Sequence, residues 1–131
     1  MATTYVQVPS EDIIGLLESK GFTPVEGIGA FRTKELVYER AHEENPAVRI
    51  RVYTSVGKGQ VVARRRAKDS IKVCTVVVGR SKTFGIGKFP RVHRTGSAKK
   101  VLDRMLGRMR DAYKRGTDWI REQKIKDVML A

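Results

Sequence analysis

Between Ala47 and Val56 the chain reads AVRIRVYTSV, a strict alternation of apolar and polar residues. At the two-residue period of a strand, Val48, Ile50, Val52, Thr54 and Val56 share one face, and Arg49, Arg51, Tyr53 and Ser55 share the other. A strand of this kind has one face that must leave water and one that need not. The chain therefore has to build a sheet and supply something to cover its apolar side.

The neighbouring segments supply the sheet. KELVYERAH (34–42) reads as a strand, and Glu43-Glu44-Asn45-Pro46 as the turn leading into the alternating run. Gly57-Lys58-Gly59 predicts a tight hairpin into QVVARRR (60–66). Ala67-Lys68-Asp69 then turns the chain into SIKVCTVVV (70–78), whose nearly continuous apolar character predicts a central strand covered on both faces. PVEGIGAFR (24–32) is a short, irregular first strand, weakened by Gly27 and Gly29.

Two helical patterns supply the cover. Residues 11–20 place Ile13, Ile14 and Leu17 on one side, with Ser10 as N-cap and Gly21 as C-cap. Beyond Ser97, itself an N-cap, Leu102, Met105, Leu106, Met109, Ala112 and Tyr113 form a stripe at helical spacing. Gly116 is expected to end or bend this helix, with Thr117 or Asp118 capping a last turn through Trp119 and Ile120. The fold class is then α+β. An antiparallel meander of four to five strands carries a short N-terminal helix and a long C-terminal helix on one face. Residues 1–131 form one domain, with 1–9 as an arm or edge strand and 117–131 as a segment free to fray. The second sheet face stays at least partly exposed and carries Arg49, Arg51 and Tyr53, then Val62, Arg64 and Arg66, then Lys72.

Charge narrows the function. The chain of 131 residues has a formal net charge of +13. Self-repulsion of that size disfavours the compact state, and a polyanionic partner is its economical explanation, nucleic acid first and an anionic membrane surface second. The charge is segregated. Residues 1–48 hold four basic and eight acidic residues, leaving 23 basic and six acidic to the remainder. It is densest in GRSKTFGIGKFPRVHRTGSAKK (79–100), where Arg80, Lys82, Lys88, Arg91, Arg94, Lys99 and Lys100 surround His93 without one acid. Phe84 and Phe89 interleave with them. Glycine-rich backbone beside cations suits close approach of phosphates, and the helix start beyond adds free N–H groups and the positive dipole end. Arg104 and Arg108 extend the track along the long helix, where Asp111 is spaced to pair with Arg108 or Arg115. Arg110 and Lys114 read as a solvated face.

Two readings stand for the arginine-bearing sheet face: a stacking platform whose tyrosine takes a base while cations take phosphates, or a solvated face whose arginines pair with acids across strands. Phe84 and Phe89 read as core plugs if the basic loop is not a binding one, and Trp119 reads as a base-stacking residue or, more plainly, as packing for the C-terminal segment. GIGK lacks the spacing of a Walker loop, which excludes that route to nucleotide hydrolysis. His42 and His93 have no metal-ligand spacing. Glu35 and Glu39, with Glu43 and Asp69 near, would make a magnesium-dependent nuclease if they clustered, although ordinary exposed acids are the plainer reading. A single cysteine, Cys74, allows no intrachain disulfide and reads as a small buried hydrophobe. The N-terminus has no secretory pattern and no apolar run is long enough to span a bilayer, so an intracellular setting, cytoplasmic or nuclear, is expected. An RNA-recognition domain is excluded by the missing strand–helix alternation and the lack of an aromatic-rich strand.

The reading that follows is a non-enzymatic nucleic-acid-binding protein with no cofactor and no metal. Single strands of DNA or RNA are favoured because the candidate surface is a sheet and no recognition helix is evident. The residues expected to bind are Arg49, Arg51, Tyr53, Arg64, Arg66, Lys72, Arg80, Lys82, Lys88, Arg91, His93, Arg94, Lys99, Lys100 and Arg104. Copies assembled along a strand are a further expectation. The competing functions are the nuclease above and a structural component, ribosome-associated or capsid-like, that neutralises nucleic acid.

Overall fold

The computed structural model of the chain describes residues 5–25, 35–55, 61–62 and 70–130. The elements in order are β1 (Tyr5–Val6), α1 (Ser10–Ser19), β2 (Thr23–Pro24), β3 (Glu35–Ala41), β4 (Val48–Ser55), β5 (Val61–Val62), β6 (Ser70–Val78), β7 (Thr83–Ile86), β8 (Val92–His93) and α2 (Ala98–Leu130). The main sheet has six antiparallel strands in the order β2-β3-β4-β6-β7, with β8 also paired to β6. β7 takes the Thr75–Val78 half of β6 and β8 takes Ser70 and Ile71, so the two share one edge of that strand. β1 and β5 form a separate two-stranded sheet. The class is α+β, with both helices covering one face of the sheet.

Burial follows the alternation. Val48, Ile50, Val52 and Thr54 are all buried, as are their β6 partners Val77, Thr75 and Val73. Ile13 and Leu17 of α1 and Val101, Met105, Met109 and Ala112 of α2 close over them. Each such aliphatic side chain contributes on the order of 1.5–3 kcal/mol. A smaller cluster of Val48, Val77 and Ile120 continues the core along α2. Thr75 is the polar exception in this layer, and its hydroxyl donates to the Ala112 carbonyl at 2.7 Å, pinning the helix to the sheet.

Three local expectations are corrected. Within 60–66 only Val61 and Val62 are described as strand, and they pair with β1 instead of hairpinning onto β4. β4 pairs directly with β6, from Val48 opposite Val77 to Tyr53 opposite Lys72. The physical reason is that β3 and β6 occupy both edges of β4, and β6 brings Val73, Val76 and Val77 to the pairing. Arg64, Arg66 and Asp69 lie outside the described residues, as does most of the expected first strand beyond Pro24.

The second correction concerns Gly116, which neither ends nor bends α2. The helix runs unbroken for 33 residues, about 50 Å at the helical rise. A Cβ on Gly116 would stand 3.0 Å from Val48 Cγ1 and 3.2 Å from His42 Cδ2. At this glycine, helix and sheet approach each other closely, and packing overrides its weak helix propensity. Thr117, expected as a cap, instead bonds the Tyr113 carbonyl and His42.

Third, Ser10 is the first helical residue of α1 and not its side-chain cap; Pro9 precedes it. The caps at Gly21 and Ser97 stand. Gly21, at φ +81°, closes α1 with Gly21 N–H to Glu18 O and Phe22 N–H to Leu17 O. Ser97 Oγ accepts from Lys100 N–H at the start of α2. Past Ile120 the helix outruns the sheet, and Ile125, Val128 and Met129 are exposed. Among the described residues no helix is long and apolar enough to cross a membrane.

Candidate nucleic-acid interface

The sheet face opposite the helices is built by the other half of each alternation. Strand register places Glu39 of β3 beside Arg51 of β4 and Cys74 of β6, and Tyr53 beside Lys72. On β8, His93 lies opposite Ser70, two residues before Lys72 on the same face. Arg91, just before β8, donates to Ser70 Oγ at 3.3 Å. Arg51, Tyr53, Lys72, Arg91 and His93 thus run obliquely across three strands, at neighbour spacings of roughly 5–8 Å. Lys72, Arg91 and His93 are exposed and Tyr53 is half-buried.

This face is not an evenly solvated platform. Val37, Arg51 and Val76 on it are buried. Arg51 Nε meets Glu39 Oε2 at 2.8 Å, and Arg49 bonds the other oxygen of the same carboxylate. The cross-strand pairing of arginine with acid therefore holds at half-buried Arg49 and buried Arg51, both anchored on one carboxylate. Burial disfavours the Arg51 charge, but the hydrogen bonds and charges of Glu39 and Tyr53 outweigh it and hold the guanidinium above its ordinary pKa.

Between this row and β7 lies a cavity of about 310 Å³. Arg51, Tyr53, Lys72 and Cys74 form its floor, and Thr83 and Gly85 its far wall. The Lys72 ammonium sits 5.4 Å from the centre of the Tyr53 ring, a cation–π contact that fixes its position in the lining. Burial pushes the Cys74 thiol above its ordinary pKa, against the opposing pull of Lys72 and Arg51. The sequence singled out the cations and the tyrosine; it missed the wall, because the short, glycine-bearing Thr83–Ile86 shows no strand period.

The basic segment folds around this wall. Arg80 and Lys82 occupy the β6–β7 turn, closed by Gly79 N–H to Lys82 O at 2.9 Å, and both are exposed. Lys88 is exposed in the connection to β8, just after Gly87 at φ +78°. Arg94 departs from this pattern. It is fully buried, with Nε donating to the Val8 carbonyl at 2.7 Å, so it ties the N-terminal arm to the core and presents no charge to a ligand. Lys99, Lys100 and Arg104 are exposed, but α2 packs on the opposite sheet face from Lys72. Arg108 pairs with Asp111 at 3.6 Å, and Arg115 pairs with Glu122.

The aromatics divide. Phe89 packs against the main core. Phe84 is 42% exposed and meets Trp119 edge to face, centroids 6.4 Å apart, while Trp119 also packs on the Val48–Val77–Ile120 cluster. Of the acids considered for a metal, Glu39 is held by two arginines and Glu43 pairs with Arg40 at 3.3 Å. Among the described residues no three histidine, cysteine or acidic side chains cluster as metal ligands would. Comparisons with family models, with curated proteins and with solved structures each find no match.

Proposed function

We propose that this chain is a non-enzymatic nucleic-acid-binding protein that holds the phosphodiester backbone of a single strand across the outer sheet face. The observation that carries the reading is the cavity where Arg51, Tyr53 and Lys72 of the sheet meet β7 of the basic segment. Two features far apart in sequence supply one surface. Lys72 and Arg91 are the gripping cations and His93 continues the row, while Arg80 and Lys82 stand about 20 Å along β6, in the turn at its other end, where they meet the next phosphates of an extended strand. Arg51, neutralised by Glu39, shapes the floor and supports Tyr53. A surface of strands and short turns suits an extended single strand better than a duplex groove, which calls for a protruding helix or ribbon.

The test is fluorescence anisotropy with a labelled single-stranded oligonucleotide and its duplex, on the wild type and on a combined Lys72→Ala, Lys82→Ala, Arg91→Ala variant. All three positions are exposed, and an unchanged melting curve establishes that the variant is folded. Affinity for the single strand should fall at least tenfold. The salt slope should become shallower by about 0.7 for each phosphate left without its cation. Unchanged affinity in a folded variant overturns the site.

A further inference from the structure

A second cavity, of about 360 Å³, opens on the helix-bearing side of the molecule between the end of α1, strands β3 and β4, and α2. It is chemically unlike the first. Its floor is apolar: Phe22, Ile50 and Met109 are buried there, and Leu106 and Tyr113 form one wall. Its remaining lining residues are Lys20, Arg40 and Arg110, and among the described residues no carboxylate lines it.

The walls are held in place. The Tyr113 ring stacks on His42, centroids 4.2 Å apart at 13°. His42 is itself fixed, its Nδ1 accepting from Glu44 N–H at 3.1 Å and its Nε2 lying 2.9 Å from Thr117 Oγ1. Arg40 is anchored at the rim by donating to the Lys20 carbonyl at 3.0 Å and to Glu43 at 3.3 Å. Lys20 and Arg110 are exposed beside it. An apolar floor bordered by a few charged groups is the usual construction of a small-molecule site, and this volume falls at the lower end of the roughly 300–1,000 Å³ such sites span.

We infer that this cavity binds a small amphipathic organic anion, its aromatic or aliphatic body on the Phe22–Ile50–Met109 floor and its carboxylate, phosphate or sulfonate among Lys20, Arg40 and Arg110. The complementarity sets the class. A neutral apolar ligand would leave Lys20 and Arg110 unused beside the Glu43-paired Arg40, and an inorganic anion would leave the floor wet. The inference is independent of the nucleic-acid reading, since none of these residues lies on the outer sheet face.

The test is a fluorescence titration of the full chain with anilinonaphthalene sulfonate, an aromatic anion of suitable size. One saturable site per chain is expected. Arg110→Glu should weaken it about tenfold. Lys124→Glu, the same charge change on the projecting end of α2, should leave it as in the wild type. Leu106→Trp should block the hollow; should that variant fail to fold, Arg110→Glu on the exposed surface still decides. Decanoate and adenosine monophosphate are the competitors, separating an acyl from a nucleotide source, and displacement by either supports the site. Equal weakening by the Arg110 and Lys124 variants, displacement by decanol as good as by decanoate, or no displacement by either anion overturns it.

Discussion

Glu39 sets the character of the outer sheet face. One carboxylate holds both Arg49 and Arg51, and it is itself largely withdrawn from water. Its removal leaves a buried guanidinium without its counter-charge. Glu39→Gln is therefore expected to lower stability by about 1–3 kcal/mol in chemical denaturation. The same substitution adds one positive charge to the surface, so affinity for a single strand should rise severalfold even as stability falls. A fall in both would mean that Glu39 organises the binding surface more than it masks it. Cys74 provides a second check. Its folded thiol pKa lies above the ordinary value, so its contribution to stability is complete below the unfolded thiol's pKa and is lost as pH rises through the folded one. Between about pH 8 and pH 10, Cys74→Ala should lose less stability to alkali than the wild type does. Residue identity alone did not separate such roles. Arg91 and Arg94 read alike in a basic run, yet one is exposed and the other fully buried, because sequence gives charge while the Val8 carbonyl that receives Arg94 lies 86 residues away.

Among the elements, β4 was legible because its period of two is uninterrupted, and α2 because its apolar stripe repeats over many turns. What local pattern could not give was pairing and approach. Val61 and Val62 pair with the far N-terminus, and no feature of QVVARRR encodes that partner. Gly116 looked like a stop because isolated glycines weaken helices, whereas its lack of a side chain admits Val48, His42 and Thr75. Two glycine substitutions in this one helix should therefore have opposite signs. Gly107→Ala meets nothing within 4 Å and should stabilise by up to about 1 kcal/mol through helix propensity. Gly116→Ala gains the same propensity but overpacks the crossing, for a net loss of roughly 1–2 kcal/mol. Thermal or urea denaturation of the two variants checks both, and a stabilising Gly116→Ala would mean that the crossing relaxes freely.

At the scale of the molecule, a net charge of +13 is carried by an α+β fold whose two faces differ in construction. One face is closed by α1 and α2, and the cavity at its margin combines an apolar floor with a cationic rim. The other carries Lys72, Arg91 and His93 together at the Ser70 end of β6, with Arg80 and Lys82 in the turn at its far end, about 20 Å along the strand. That gathering is the central claim, and the salt dependence of binding reads it most directly. Neutralising about four to five phosphates of a single strand should give a slope of log affinity against log salt of about −2.8 to −3.5, a loss of roughly 50- to 130-fold between about 50 and 200 mM salt. A flat salt dependence, or affinity for duplex exceeding that for single strands, would contradict it.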